Sequence, residues 1–82
     1  MLSALQKGPK VVGAKQSRRA IADGTAACVF VAEDADPRLT DPLRVQAGEQ
    51  GIPVELVPSM KTLGKACGIL VSAAVAVLLK SQ

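Results

Sequence analysis

Short runs of apolar residues alternate along the chain with segments whose apolar residues recur at helical spacing, and this order predicts an α/β domain. Three runs predict strands at Lys10–Gly13, Ala27–Ala32 and Val54–Val57. Because the second is apolar throughout, it is typical of a central strand covered on both faces. A fourth run, Ile69–Leu79, fits a helix or a strand. Its valines and their alternation favour a strand from about Val71.

The segments between these strands predict helices, because capping or helix-breaking residues bound each of them. They are Leu2–Lys7 before Gly8-Pro9, Lys15–Asp23 before Gly24, the stretch from Pro37 to Gly51, and the stretch from Ser59 to Cys67 before Gly68. In the third helix, Asp41 lies near a cap and Pro42 is predicted to begin the main body. The pattern therefore predicts a single domain over residues 1–82, with a four-stranded sheet sandwiched between helices.

The composition supports a packed domain and excludes several classes of function. Of the 82 residues, 49% are apolar, enough for one core. The chain contains no histidine and one aromatic residue, Phe30, so a Ser-His-Asp triad, a histidine zinc site and an aromatic base-stacking platform are excluded. No apolar run reaches the roughly 20 residues of a membrane helix, and the N-terminus has no signal-peptide pattern. We expect a soluble, cytoplasmic monomer without a cofactor.

Two cysteines, Cys28 and Cys67, lie far apart and form no C-x-x-C motif. The interpretation we favour is two small buried hydrophobic residues in a reducing compartment. The alternative is a small redox enzyme built on these thiols, although no histidine is present to activate them.

Charge is unevenly distributed along the sequence. Residues 1–22 carry five basic residues and no acid, residues 23–55 carry seven acids and two arginines, and residues 56–82 carry three lysines and no acid. This segregation predicts one basic and one acidic surface, and a basic surface commonly serves a polyanionic partner.

The first candidate site is the predicted turn from strand to helix, formed by Gly13, Ala14, Lys15 and Gln16 together with Arg19. Free amides at a helix N-terminus attract anions. Spacings of four and three residues place Lys15 and Gln16 on the helix face that carries Arg19. The two cations suit phosphates, and the glutamine amide, which donates and accepts, suits a base edge. The alternative is a solvated basic helix face.

The second candidate site lies in the helix predicted to end at Cys67 and in the loop after it. Lys61 and Lys65 are four residues apart and share a face. Gly64-Lys65 is not part of a P-loop, because the first glycine and the final Ser/Thr of that motif are replaced. The following residues, Ile69-Leu70-Val71, are apolar, so they either contact a partner or enter the next strand.

A group of acids, Glu33, Asp34 and Asp36, precedes Pro37. Their oxygens would suit magnesium. The interpretation we favour is that Asp36 caps a helix beginning at Pro37 and that the other two carboxylates are solvated.

Three stretches of the chain resemble one family, the kink-turn RNA-binding proteins related to archaeal ribosomal protein L7Ae and eukaryotic L30e, and its short bacterial members most of all. The stretches are Gly13–Arg19, Val31–Pro37 and Val57–Ile69. Their order and spacing extend over nearly the whole chain. The resemblance implies an α/β fold, a three-layer α-β-α sandwich with a mixed four-stranded sheet.

The resemblance also implies a mechanism. A kink-turn is a sharply bent RNA helix with tandem sheared G·A pairs, and in the family the helix after the first strand enters the groove that the bend opens. Residues matching Lys15 and Gln16 face the G·A pairs, the residue matching Arg19 helps to hold them, and the loop matching Ile69–Val71 covers extruded nucleotides. An acid matching Asp36 lies near the same surface. The predicted RNA-binding residues are Gly13, Ala14, Lys15, Gln16, Arg19, Asp36, Lys61, Ile69, Leu70 and Val71.

The chain departs from the archaeal and eukaryotic pattern in two places. Lys15 and Gln16 stand where those members carry Asn-Glu, a change that the short bacterial members share. A neutral glutamine still accepts a hydrogen bond from a guanine amino group, but without charge assistance. Leu70 makes the loop more apolar than the polar residue often found there.

The leading hypothesis is a non-enzymatic protein that binds kink-turn-like structured RNA, such as ribosomal RNA or a riboswitch, with no membrane or small-molecule partner. The second is a protein-interaction or regulatory module on the same fold, docking through the acidic middle segment as the related growth-arrest stress proteins do.

Overall fold

The computed structural model describes residues 4–80, which fold around one mixed four-stranded sheet. The elements are α1 (Ala4–Lys7), β1 (Lys10–Val12), α2 (Ala14–Ala22), β2 (Ala26–Ala32), α3 (Pro37–Glu49), β3 (Val54–Val57), α4 (Met60–Ala66) and β4 (Val75–Leu79). The predicted beginning of the first helix at Leu2 lies outside the described residues. The strand order is β1-β4-β2-β3. Strand β2 is parallel to β3, and β4 is antiparallel to both β1 and β2.

Helices cover both faces of the sheet, so the predicted three-layer sandwich is confirmed. Helices α2 and α3 contribute Ile21 and Leu43 to one core, and α1 and α4 contribute Leu5 and Leu63 to the other. Strand β2 supplies both cores, because successive side chains point to opposite faces. Phe30 packs on the side of α4, whereas its neighbours Val29 and Val31 pack on the side of α2. This double burial explains why the strand is apolar throughout.

Helix α3 begins at Pro37, and the prediction that its main body begins at Pro42 is wrong. Asp36 is the N-cap, and its carboxylate accepts a hydrogen bond from the Arg38 backbone N–H at 2.9 Å. Since this cap and a proline at the first helical position already begin the helix, Asp41 and Pro42 lie inside it. Pro42 and Arg38 are both exposed, so water can reach the Arg38 carbonyl that the proline leaves without an amide donor.

The last strand begins at Val75, four residues later than the alternation predicts. From Val75 to Leu79 the predicted alternation holds, with Val75 and Val77 in the core under α2 and α3. The preceding residues are held elsewhere, because the Ala73 N–H donates to the Met60 carbonyl of α4 at 3.0 Å. Val71 is therefore a loop residue, 70% exposed, and not the first residue of the strand.

Both cysteines lie in the core beneath α4, as the interpretation of buried hydrophobic residues expects. Cys28 and Cys67 are free thiols with 2% and 4% exposure. Burial is the main cause that raises the pKa of each thiol above its ordinary value.

We therefore expect both thiols to resist iodoacetamide in the folded protein at mildly alkaline pH, because the thiolate is the reactive form. Both should react once guanidinium unfolds the chain. Mass spectrometry of the adducts over time tests this, and rapid labelling of either cysteine in the folded protein would contradict it.

The topology gathers several segments at one end of the molecule. Strands β1, β2 and β3 end there, β4 begins there, and α2, α3 and α4 each start from it. We call this end the helix-start edge. It consists of residues 13–16, 33–38 and 58–61, together with the loop 68–74, which returns from the end of α4 to its start. None of the helices within residues 4–80 is both long and apolar enough to span a bilayer.

Candidate functional site

The first turn of α2 lies at the helix-start edge because Gly13 makes a sharp turn after β1. Its φ of 103° belongs to the left-handed region, which glycine adopts without a steric penalty. The Gly13 N–H donates to the Val75 carbonyl at 2.9 Å, and the Gly13 carbonyl accepts from the Ser17 N–H at 3.0 Å. The helix start is thereby fixed against the beginning of β4.

The N-terminus of α2 differs from those of α3 and α4 in having no side-chain cap among the described residues. Asp36 caps α3, and Ser59 caps α4 by accepting from the Thr62 N–H at 3.1 Å. The first-turn amides of α2 therefore have no side-chain acceptor from residues 4–80. Such amides carry partial positive charge and bind anions.

The three predicted polar residues of α2 are all exposed, while Ser17, Ala20 and Ile21 are buried on its other side. Gln16 and Arg19 line the same shallow groove beside β1, and Lys15 lies at the helix start. The Arg19 guanidinium lies 3.9 Å from the Asp23 carboxylate, and their side chains are 86% and 60% exposed. An exposed pair at this distance holds the arginine weakly, so its guanidinium is available to an anion.

Residues 68–74 form a loop that places two apolar side chains in solvent. Leu70 is fully exposed and Val71 is 70% exposed, whereas Ile69 is half-buried against the core beneath α4. The loop lines a shallow depression together with Lys61 and Lys65 of α4. The sequence left open whether Ile69-Leu70-Val71 contact a partner or enter the next strand. Leu70 and Val71 do not enter the strand but lie in an exposed loop.

The loop is held against α4 along its backbone. The Ile69 N–H donates to the Gly64 carbonyl at 3.1 Å and the Ala73 N–H donates to the Met60 carbonyl at 3.0 Å. Gly64 itself faces the carbonyl of Val71, where a Cβ would clash with the backbone. A glycine inside a helix costs about 1 kcal/mol relative to alanine, and here it allows loop and helix to touch.

Asp36 is occupied by the protein's own groups. In addition to the backbone cap, its carboxylate accepts hydrogen bonds from the Arg38 guanidinium, with Nη2–Oδ2 at 2.9 Å. The side-chain and backbone hydrogen bonds from Arg38 hold the pKa of Asp36 below its ordinary value. The favoured interpretation of this acid as a helix cap is therefore confirmed, and its carboxylate is already engaged beside the predicted RNA-binding residues.

The sequence predicts that the Asp34 carboxylate is solvated, but the structure shows it bonded to the protein backbone. Its carboxylate accepts a hydrogen bond from the Met60 N–H, the first residue of α4, at 2.7 Å. Within residues 4–80, no group of three or more potential ligands is arranged to hold a metal ion.

The charge segregation along the sequence is not reproduced in space. Glu33, Asp34 and Asp36 follow β2 and therefore lie at the helix-start edge with Lys15. Asp23, which follows α2, lies at the opposite end of the sheet. The acids of the middle segment are thus divided between the two ends of the sheet.

The predicted RNA-binding residues do not include Asp34 of this edge or Gly64 and Lys65 of α4. For Lys65 the sequence did offer a signal, because its spacing of four residues from Lys61 places both lysines on one helix face. Gly64 carried a weaker signal, as a glycine inside a predicted helix. No local pattern signals the role of Asp34, since its partner lies 26 residues away.

Comparisons with known proteins point to one family and to the observed fold. The pattern that defines the ribosomal protein L7Ae/L30e/S12e/Gadd45 family matches residues 2–82. An RNA-binding protein of Geobacillus sp. (strain WCH70) is 50% identical over 76 residues, 93% of both chains. The large ribosomal subunit protein eL8 of Cenarchaeum symbiosum is 38% identical over 77 residues, 93% of this chain and 61% of that protein. A solved structure, the 15.5kD RNA binding protein of Giardia lamblia, superposes with a TM-score of 0.92 at 28% identity, covering 99% of this chain and 72% of that one.

Proposed function

This chain belongs to the ribosomal protein L7Ae/L30e/S12e/Gadd45 family, and we propose that it is an RNA-binding protein that recognises kink-turn-like RNA with tandem sheared G·A pairs. The relatives described above are named as RNA-binding or ribosomal proteins, which is a non-enzymatic role. The chain has no histidine for acid–base catalysis, in agreement with that role.

One observation carries the proposal: the uncapped start of α2 lies at the same end of the sheet as the exposed apolar loop. The α2 amides, Lys15 and Arg19 provide positive potential for phosphates. Leu70 and Val71 provide an apolar surface for a nucleobase outside the stack. Two different recognition chemistries at one edge suit an RNA that presents both a backbone bend and unstacked bases.

Recognition of this kind depends on the shape of the RNA. Regular A-form RNA hides its base edges in a deep, narrow groove that side chains do not read. A kinked helix opens that groove to the α2 start, where Gln16 contacts a purine edge. Because the protein binds the bent form better, it shifts the RNA population from extended to kinked.

Gln16→Ala is expected to reduce the preference for G·A-containing RNA over plain duplex, because it removes the amide that reads the base edge and leaves the cations in place. The ratio of the affinity for G·A-containing RNA to that for plain duplex should fall about five- to tenfold, the effect of losing one base contact. Competition titrations with both RNAs measure the ratio. If Gln16→Ala weakens binding to both RNAs equally, glutamine does not read the base.

Crosslinking in the cells that express the protein, followed by sequencing of the attached RNA, tests the proposal as a whole. We expect the crosslinks to concentrate at bulged helices flanked by G·A pairs. Crosslinks spread over single-stranded or fully paired RNA would overturn the kink-turn assignment.

A further inference from the structure

Four segments of the helix-start edge are joined by a continuous series of hydrogen bonds. The Asp34 carboxylate accepts from the Met60 N–H at 2.7 Å, and the Met60 carbonyl accepts from the Ala73 N–H at 3.0 Å. Two residues further on, the Val75 carbonyl accepts from the Gly13 N–H at 2.9 Å. The series thus runs from the loop after β2, through α4 and the 68–74 loop, to the start of α2.

Asp34 is the one side chain in this series, whose other partners are backbone groups. Asp34 is exposed, yet its carboxylate accepts from the Met60 N–H, a first-turn amide of α4 that has no other acceptor among residues 4–80. It also places a negative charge at the edge where the proposed function needs a polyanion to bind. Such a charge opposes the binding of a polyanion, so its presence at this edge calls for another role.

We propose that Asp34 is a positioning residue, which fixes α4 and through it the 68–74 loop in the arrangement that receives RNA. The effect of Asp34 on RNA binding rests on the proposed function, whereas its anchoring of α4 and the loop does not. The carboxylate acts through Met60 and contacts no nucleotide in this scheme.

Two substitutions separate the acceptor from the charge. Asp34→Ala removes both, whereas Asp34→Asn keeps an oxygen that accepts from the Met60 N–H and removes only the charge. Glu33→Ala is the matched control. It removes a neighbouring carboxylate that accepts no hydrogen bond from residues 4–80.

Hydrogen exchange at the Ala73 amide reports the anchoring without any RNA. We expect exchange to quicken about tenfold in Asp34→Ala, the order of one charge-assisted hydrogen bond, to quicken less in Asp34→Asn, which keeps the acceptor without the charge, and to stay close to the parent in Glu33→Ala. Unchanged exchange in Asp34→Ala overturns the anchoring, whatever happens with RNA.

RNA binding reports the functional part. We expect Asp34→Ala to weaken binding of a kink-turn RNA about five- to tenfold through faster dissociation, while Asp34→Asn and Glu33→Ala bind as tightly as the parent or more tightly. Tighter binding by Asp34→Ala than by the parent would show that the residue acts only through its charge and would overturn the proposal. If the parent itself does not bind the RNA, the proposed function fails, and the exchange of Ala73 still decides whether Asp34 holds the loop.

Discussion

Replacing both Lys15 and Arg19 with alanine is expected to weaken binding to a kink-turn RNA by roughly 10- to 40-fold at about 0.1 M salt. Both side chains are exposed on α2, with Lys15 in its uncapped first turn and Arg19 one turn further along the helix. Because each phosphate contact releases counterions, each lost contact lowers the slope of log affinity against log salt by roughly 0.7–0.9. The double variant should therefore show both a lower affinity and a flatter salt dependence in anisotropy titrations over a range of KCl concentrations.

The matched control is the double substitution of Lys7 and Lys80 with alanine, which changes the net charge by the same amount. Both lysines are exposed, and both lie at the end of the sheet opposite to the helix-start edge. The control should retain most of the affinity and the salt slope. Equal losses in the two double variants would show that RNA responds to net charge alone and would contradict a localised site on α2.

Adding a methyl group at Gly64 is expected to push the 68–74 loop away from α4. The new Cβ would clash with the Val71 carbonyl and would lie 3.0 Å from the Cα of Ser72. Both are backbone atoms, so no side-chain rotation relieves the contact. Overpacking typically costs about 1–3 kcal/mol, which exceeds the gain of about 1 kcal/mol in helix propensity. We therefore expect Gly64→Ala to lower the free energy of unfolding and to weaken RNA binding about tenfold or more.

Gly48→Ala is the control for this second prediction. Gly48 also lies in a helix, but its Cβ would meet no atom within 4 Å. The same chemical change should there stabilise the protein by up to about 1 kcal/mol and leave RNA binding unchanged. Denaturant unfolding and RNA titration of both variants provide the comparison. A stabilised Gly64→Ala with parental affinity would mean that close contact between α4 and the loop has no role in binding.

Local patterns were sufficient to predict most of the fold. Strand β2 is apolar throughout because it lies between two cores, and α2 carries its small and apolar residues on one side. Ser59 and Gly68 bound α4 as predicted, since caps and left-handed glycines act on their own neighbours. These features depend on residues close in sequence, which is why they can be read without the tertiary structure.

Two of the errors concern residues held by distant contacts, and the third concerns a choice between two local signals. Val71 continues the alternation of β4, but hydrogen bonds from the loop to α4 hold it in solvent instead. Pro42 is predicted to begin the main body of α3, but the Asp36 cap and Pro37 begin the helix five residues earlier. The bond between Asp34 and Met60 joins residues 26 apart, so nothing near Asp34 in the sequence indicates it.

In the proposed function, the α2 start and the 68–74 loop together hold a kinked RNA. The most direct test is fluorescence energy transfer across an RNA labelled at both helix ends, titrated with the protein in a buffer that keeps the free RNA extended. Energy transfer should rise to saturation with RNA that contains the tandem G·A pairs and stay low when G·C pairs replace them. Equal affinity for the two RNAs, with no change in energy transfer for either, would contradict recognition of a kinked RNA by this protein.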